Sequence, residues 1–512
     1  MKNIKSIFRN SQLLVIIVSC LLYTSCDNFL DKEPVTALSS AQFFKTPQDA
    51  SAAIAGMYDA LQNTLDGNYF FWGEVRADNV TGSVSNGDKL LLGNALNATH
   101  ATANWSSLYK TIANANFAIK YIPNILPVST ASVINDQLGQ AYTTRALMYF
   151  YAVRIWGRVP LVTEPYEQLP GQVLYNNRAS VDSVKAQIIS DLDKAVTLFG
   201  ATAPATPYYF NAGSAHAIKM DVYMWFKEFD KALAESNTII AMNKYALAAN
   251  EVEWKSIFLT PSISKEPIFT IYWDYVKDGA NAMSLNLGCA DRGAQYKMRK
   301  ELWDTLIIRN TDKRLAMMID TLDYSALTVN TGYLTTAAYD LIPGVINCKF
   351  AAWDQVKNTA ISARAANPGG YKLPIRIEYN VQVPLYRYAG LMLLRAEALA
   401  NIGGDVNMQA ARDIINAVRS RMGYMAKASI TNTPDKASLI KVILTERRIE
   451  LWGEGIRWFD LVRNNMVNTA MDPILLPNGF GNLDKILWPL HTSVFEANPL
   501  LRNDQNPGYT QN

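Results

Sequence analysis

The amino-acid sequence predicts an all-α-dominated protein: divergent tetratricopeptide-like helix-pair repeats, with a loop-rich, partly β insert region carrying the binding face. Three observations carry that prediction. Apolar residues recur at helical spacing through paired segments joined by short turns. Small residues such as Ala146, Ala215, Ala232 and Ala398 stand among Leu, Tyr and Trp, which lets antiparallel helices approach closely. Two stretches, Asp66 to Asn104 and roughly Lys255 to Pro384, lose the helical period and carry turn formers instead. The period of about 34 residues is not strict, so the repeats are divergent ones. A chain of 512 residues, 49% hydrophobic and 11% aromatic, has ample material for a packed core.

At the start, Lys2, Lys5 and Arg9 precede an apolar run, Leu13 to Tyr23, too short to span a bilayer as a stable helix. Residues 1–25 therefore read as a signal peptide. Its removal takes away three positive charges and leaves 45 of each sign. A neutral mature chain has no electrostatic footprint for nucleic acid. A short acidic linker through Asp31 and Pro34 leads to a helix from about Pro47 to Gln62, with Pro47 and Asp49 in the first turn where each is favourable. Trp105 to Ile122 and Gln137 to Trp156 then form one pair; Val181 to Phe199 and Ala212 to Phe226 form a second, continued by Phe229 to Met242. After the insert come Pro384 to Asn401, Asn407 to Met422 and Ser438 to Arg463.

The most charged apolar segment is Ile443 to Arg463. Leu444, Leu451 and Trp458 recur at helical spacing, and Ile449, Trp452, Ile456 and Phe459 line an adjacent stripe, so a helix here is buried on more than one side. Glu446, Glu450 and Glu454 fall four apart, where like charges repel, so arginines from other helices are expected to meet them. Arg145 and Arg154 are candidates, and Arg447 with Glu450 and Glu454 with Arg457 offer local pairs at three-residue spacing. With no His, Cys or Ser nucleophile alongside, these charges read as structural clips between helices.

The binding residues are expected in the two non-helical stretches, since long loops on a rigid scaffold carry sites. The first contains Tyr69, Trp72, Arg76, Asp78 and Asn79. The second contains Ile268 to Tyr275, alternating like a short strand and including Trp273 and Tyr275, then Trp303 and Trp353. Aromatic faces meet the C–H groups of a sugar ring while Asp, Asn and Arg bond its hydroxyls, so Tyr69, Trp72, Trp273 and Tyr275 are expected to form a platform edged by Arg76, Asp78 and Asn79, with Trp303 a further ligand-binding candidate and Trp353 after it. The contrasting reading is a secreted glycoside hydrolase on a helical scaffold, with Glu74, Asp78, Asp274 and Asp304 as candidate acids, although no motif pairs them. His100, His216 and His491 are far apart and lack metal spacing, so neither metal nor cofactor is expected. Cys289 and Cys348 form one bridge or remain two buried thiols.

Four segments carry a family resemblance. Glu446-Arg-Arg-x-Glu-Leu-x-x-Glu-Gly-x-Arg-Trp-Phe-Asp-Leu-x-Arg463 resembles the C-terminal hallmark of the SusD/RagB family of Bacteroidetes lipoproteins. Cys26-Asp-x-Phe-Leu-Asp-x-x-Pro34 resembles the mature N-terminus of the same family, and Tyr23-Thr-Ser-Cys26 resembles a lipobox, with Tyr23 where the family usually has an aliphatic. Arg145 to Pro160 resembles its second repeat helix and the Gly/Pro exit from it. The resemblance implies one domain over 26–512, with a helical-repeat part at about 40–260, a loop-rich part at 261–383 and a C-terminal part at 384–512. It also implies a lipid on Cys26, a position on the outer membrane facing outward, and a non-catalytic role. That role is to capture an oligosaccharide or similar nutrient and deliver it to a SusC-like TonB-dependent transporter.

Overall fold

The computed structural model describes residues 43–510 except 83–87, 126–128, 168–174, 201–205, 280, 288–294, 310, 321–345, 348, 350–380, 425–434, 476, 478 and 482. The leader, Cys26, the acidic linker, Cys289, Cys348 and Trp353 lie outside the described residues. The chain divides into two compact units, 1–45 and 46–512, and the architecture is that of the second.

Helix α1 (Pro47–Leu65) opens on a reciprocal cap: Asp49 N donates to Thr46 Oγ1 (3.2 Å) and Thr46 N donates to Asp49 Oδ2 (2.7 Å), with Pro47 in the first turn. It packs on α2 (Ser106–Tyr121), which packs on α3 (Ala131–Trp156); α4 (Val181–Phe199), α5 (Ala212–Trp225) and α6 (Phe229–Ala241) follow, each against its predecessor. Covered by α1, α2 and α4, α3 buries every residue from Gln137 to Trp156 except Tyr142. Gly139 permits α3 and α4 to approach closely, because a Cβ there would stand 2.8 Å from the Phe199 ring of α4. Ala146, Ala215, Ala232 and Ala398 are all buried at such contacts.

α7 (Glu251–Leu259) leads into the insert, which carries α8 (Lys300–Ile308), and the strands of the chain form two-stranded pairings. β1 (Val80–Gly82) pairs antiparallel with β5 (Tyr296–Met298), and β2 (Val159–Pro160) with β3 (Arg178–Ala179). β4 (Pro267–Ile271) pairs with β8 (Val383–Arg387), and β6 (Ile319–Asp320) with β7 (Ile346–Asn347). The fully buried β4 and its partner β8 close the insert and return the chain to α9 (Tyr388–Ile402), which packs on α6, on α10 (Asp405–Ser420) and on α11 (Lys436–Glu450). Pro384 therefore belongs to a strand, and the helix expected from it begins four residues later.

Ile443 to Arg463 is two helices rather than one. α11 ends at Glu450 and α12 spans Arg457–Arg463; between them Gly453 and Gly455 take φ of 78° and 69°. A Cβ on Gly73 would lie 1.7 Å from the Gly455 carbonyl oxygen, so backbone meets backbone at this turn. The break swings Glu454 off the line of Glu446 and Glu450.

Partners for these glutamates come from distant segments. Glu446 is met by Arg309 (2.9 Å), Arg314 (2.7 Å) and Arg419 (2.7 Å); Glu450 by Arg314 (2.9 Å), Arg387 (2.7 Å) and Arg421. Glu454 binds Arg387 (2.8 Å) and Lys349 (2.6 Å), while Glu266 shares Arg387 and Arg421. Burial opposes ionisation of Glu446, but Arg314, Arg309 and Arg419 hold its carboxyl down to about 2. Arg145 and Arg154 are not among these partners: Arg145 is bidentate to Asp191 (2.8 Å), and Arg154 reaches Asp221 (3.4 Å) over the rings of Phe150 and Phe459. Nor do the expected local pairs form, since Arg447 takes Asp460 (2.8 Å) and Arg457 takes Asp78 (2.7 Å). Asp460 and Asp78 each accept from two nitrogens of their arginine, a bidentate geometry that favours these partners over Glu450 and Glu454.

Candidate ligand-binding site

The aromatics expected at the surface are in the core. Tyr69, Trp72 and Trp303 are buried. Trp72 Nε1 donates to the Thr102 carbonyl (2.9 Å), and its ring meets Tyr151 and Trp156. Arg76 donates to Asn94 Oδ1 (2.9 Å) and the Lys485 carbonyl (2.7 Å) beneath Trp458; burial pulls its pKa down to about 10. Asp78 is gripped by Arg457, and Asn79 donates to Glu74 Oε1 (2.6 Å) while accepting from Arg448 Nε (2.9 Å). Trp273 is 6% exposed, its Nε1 donating to the Gly279 carbonyl (2.7 Å). Tyr275 lies half-buried against the core. The exposed platform expected of these residues is thus replaced by a packed interior. Residues 68–79 wrap the Gly453–Gly455 turn, and large rings gain more from filling that space than from facing water. The two stretches do meet, through β1 and β5 and through Arg299 N donating to the Asn79 carbonyl (3.0 Å), but they meet inside.

An open cleft of about 840 Å³ lies beside them. α1 contributes Tyr58, Asp59 and Gln62 to it, and the first turns of α3 contribute Val133, Asp136, Gln137 and Gln140 at the i, i+3, i+4, i+7 spacing of one helix face. The segment before α5 adds Tyr208 and Tyr209, and the end of β4 with its following turn adds Tyr272, Lys277 and Asp278. Tyr209 and Tyr272 are 50% and 48% exposed. Their rings are braced edge-on, Tyr209 by Tyr58 (5.3 Å) and Tyr272 by Tyr208 (5.2 Å). Tyr58 is fixed by Phe210 N donating to its hydroxyl (2.8 Å), and burial pushes that phenol well up. Gln62 Nε2 donates to the Tyr272 carbonyl (2.8 Å) and to Asp278 (3.3 Å), fixing the far wall. Gln140 Nε2 donates to Asp136 (2.6 Å), a residue exposed on the cleft wall whose carboxyl is pushed up by partial desolvation. Gln137 and Gln140, both more than nine-tenths buried, each carry a side-chain oxygen that no donor among the described residues reaches.

Sequence reasoning missed this cleft narrowly. Within Ile268 to Tyr275 the residue that lines the cleft and faces solvent is Tyr272, one position from the buried Trp273. Tyr208 and Tyr209 carried a signal too: an aromatic pair placed just before Asn211, which caps α5 by accepting from Ser214 N (3.1 Å).

The acids considered for hydrolysis are committed elsewhere. Burial pushes the Glu74 carboxyl up to about 7, although Asn79 and Gly453 N donate to it. Burial opposes ionisation of Asp78 too, but Arg448 and Arg457 hold it down to about 2. Asp274 accepts from Val276 N (3.0 Å) in its own turn, and Asp304 pairs with Lys300 (2.8 Å).

Comparison with known proteins gives a consistent picture. A family model described as "SusD family" matches residues 376–509, and one described as "Starch-binding associating with outer membrane" matches residues 28–223. The chain is 30% identical to the SusD-like protein P38 of Formosa agariphila, over 99% of this chain and 100% of that protein. It is 28% identical to a SusD-like protein of Bacteroides ovatus, over 89% and 83%. Among solved structures it superposes on a SusD homolog from Bacteroides thetaiotaomicron with a TM-score of 0.74 at 20% identity, covering 92% of this chain and 98% of that one. A laminarin binding SusD-like protein gives 0.69 at 22%, covering 91% and 100%.

Proposed function

The chain belongs to the SusD family, and from that premise we propose that it is a non-catalytic carbohydrate-binding protein of the outer membrane. In this reading it is anchored by a lipid on Cys26, faces outward, and hands an oligosaccharide to a SusC-like TonB-dependent transporter. The described part of 26–512 acts as one binding body, in keeping with family matches towards both of its ends.

The observation that carries the binding reading is the tyrosine-walled cleft. Two braced, half-exposed rings offer flat apolar faces to sugar C–H groups, and the Asp and Gln oxygens between them accept from hydroxyls. The likeness to a laminarin binding protein supports a glycan as the ligand. The test is a glycan array followed by titration of the best binder against Tyr209→Ala and Tyr272→Ala. Weakened binding with unchanged folding supports the cleft. Release of reducing ends from any bound glycan by pure protein would overturn the non-catalytic reading.

A further inference from the structure

We propose that the cleft selects uncharged or amine-bearing sugar units and discriminates against glycans carrying carboxylate or sulfate groups. The proposal rests on the reading of this cleft as the glycan site.

The first support is charge. Asp59, Asp136 and Asp278 stand exposed on its walls, and among the described lining residues Lys277 is the one cation. Lys277 already faces Asp274 (3.4 Å), so it offsets little of that charge. Arginine, the residue best suited to carboxylate and sulfate recognition, is absent from the described lining. Many of the chain's arginines are instead buried against Glu446, Glu450, Glu454 and Glu266.

The second support is the direction of the hydrogen bonds. Each of the cleft's side-chain amides already donates within the protein: Gln62 to Tyr272 and Asp278, Gln140 to Asp136, and Gln137 to Ser51 (3.3 Å). Around them the exposed carboxylates of Asp59, Asp136 and Asp278 stand as acceptors, alongside tyrosine hydroxyls that both donate and accept. Sugar hydroxyls and ammonium groups donate to such acceptors; ionised carboxylates and sulfates cannot.

The expected size follows from Coulomb's law in a water-exposed cleft. Each ligand anion close to the uncompensated carboxylates should weaken binding roughly 3- to 10-fold at low salt, and less at high salt.

The experiment is an array of neutral glucans, xylans, mannans and galactans with polyuronates, sulfated galactans and a glucosamine polymer, followed by titration at 20 and 500 mM NaCl (~20 and ~500 mM, spanning strong and weak screening). Binding confined to neutral or amine-bearing members is the expected result. In Asp59→Asn/Asp136→Asn, the ratio of neutral to anionic affinity should fall about tenfold at low salt. An anionic glycan binding as tightly as the best neutral one at low salt overturns the proposal, as does a ratio unmoved in the double variant. Binding that survives Tyr209→Ala/Tyr272→Ala unchanged instead refutes the cleft as the site, and so separates the two failures. No binding by any member removes both.

Discussion

Replacing Glu450 by Ala tests whether the buried charge cluster holds the two halves of the chain together. Glu450 is fully buried, and its two oxygens meet Arg314 within the insert, Arg387 at its exit and Arg421 just past α10. Each arginine keeps another carboxylate: Arg314 has Asp312 and Glu446, Arg387 has Glu266 and Glu454, and Arg421 has Glu266. The variant therefore does not strip any guanidinium bare, but it leaves one more positive charge uncompensated in a buried site. Removing one partner of a buried pair costs about 3–5 kcal/mol. With an unfolding entropy near 2 cal/mol/K per residue, that is a fall in melting temperature of about 3–5 °C if the whole chain unfolds together. Thermal melts and urea titrations of wild type and variant measure it, and glycan affinity of the folded fraction should stay unchanged because Glu450 does not line the cleft. An unchanged melting temperature would show that the cluster contributes no net stability.

Glu74 carries a pH signature of the opposite sign. Its folded pKa of about 7 lies above the ordinary 4.5, so its contribution is fully present below about pH 4.5 and is lost as pH rises through 7. Glu74→Gln, which keeps an acceptor for Asn79 and Gly453 N, should therefore gain up to about 3 kcal/mol over wild type at pH 8 and little at pH 4.5, by urea unfolding; equal curves at both pH values would contradict this. Trp273→Ala should cost about 3–5 kcal/mol of stability, because it empties a core site and frees the turn that holds Lys277 and Asp278; a normal melt with lost glycan binding would return Trp273 to the surface. Cys26→Ala should move the protein out of the membrane fraction in cells lacking the transporter, since among the described residues no helix is long and apolar enough to cross a membrane; retention there would contradict the lipid anchor.

What the sequence disclosed follows from how local each signal is. The run through Arg145 to Trp156 announces α3 because its apolar residues wrap the helix, and a helix buried all round needs only its own neighbours in sequence to be recognised. The Glu446–Glu454 segment was legible as buried and ionic, but its partners Arg309, Arg314, Arg387, Arg419 and Arg421 were not, because their approach depends on β4 and β8 closing the insert. The break at Gly453 and Gly455 was in plain view as two glycines inside a helical pattern, and the apolar stripes on either side masked it. Exposure of aromatics was the least legible feature. Trp72 and Tyr272 both sit in stretches whose sequence lacks a sustained helical period, although Trp72 folds into a short π-helix, and only the path of the chain past Gly455 and Gln62 decides that one fills the core and the other faces solvent.

The most direct test of the account is isothermal titration of the array's best-binding glycan into wild type and Tyr272→Ala, paired with thermal melts of both. The account predicts saturable binding by wild type, an affinity loss of roughly 5- to 150-fold in the variant, corresponding to about 1–3 kcal/mol for one aromatic contact, and melting curves that nearly coincide. Equal affinity in wild type and Tyr272→Ala would contradict it.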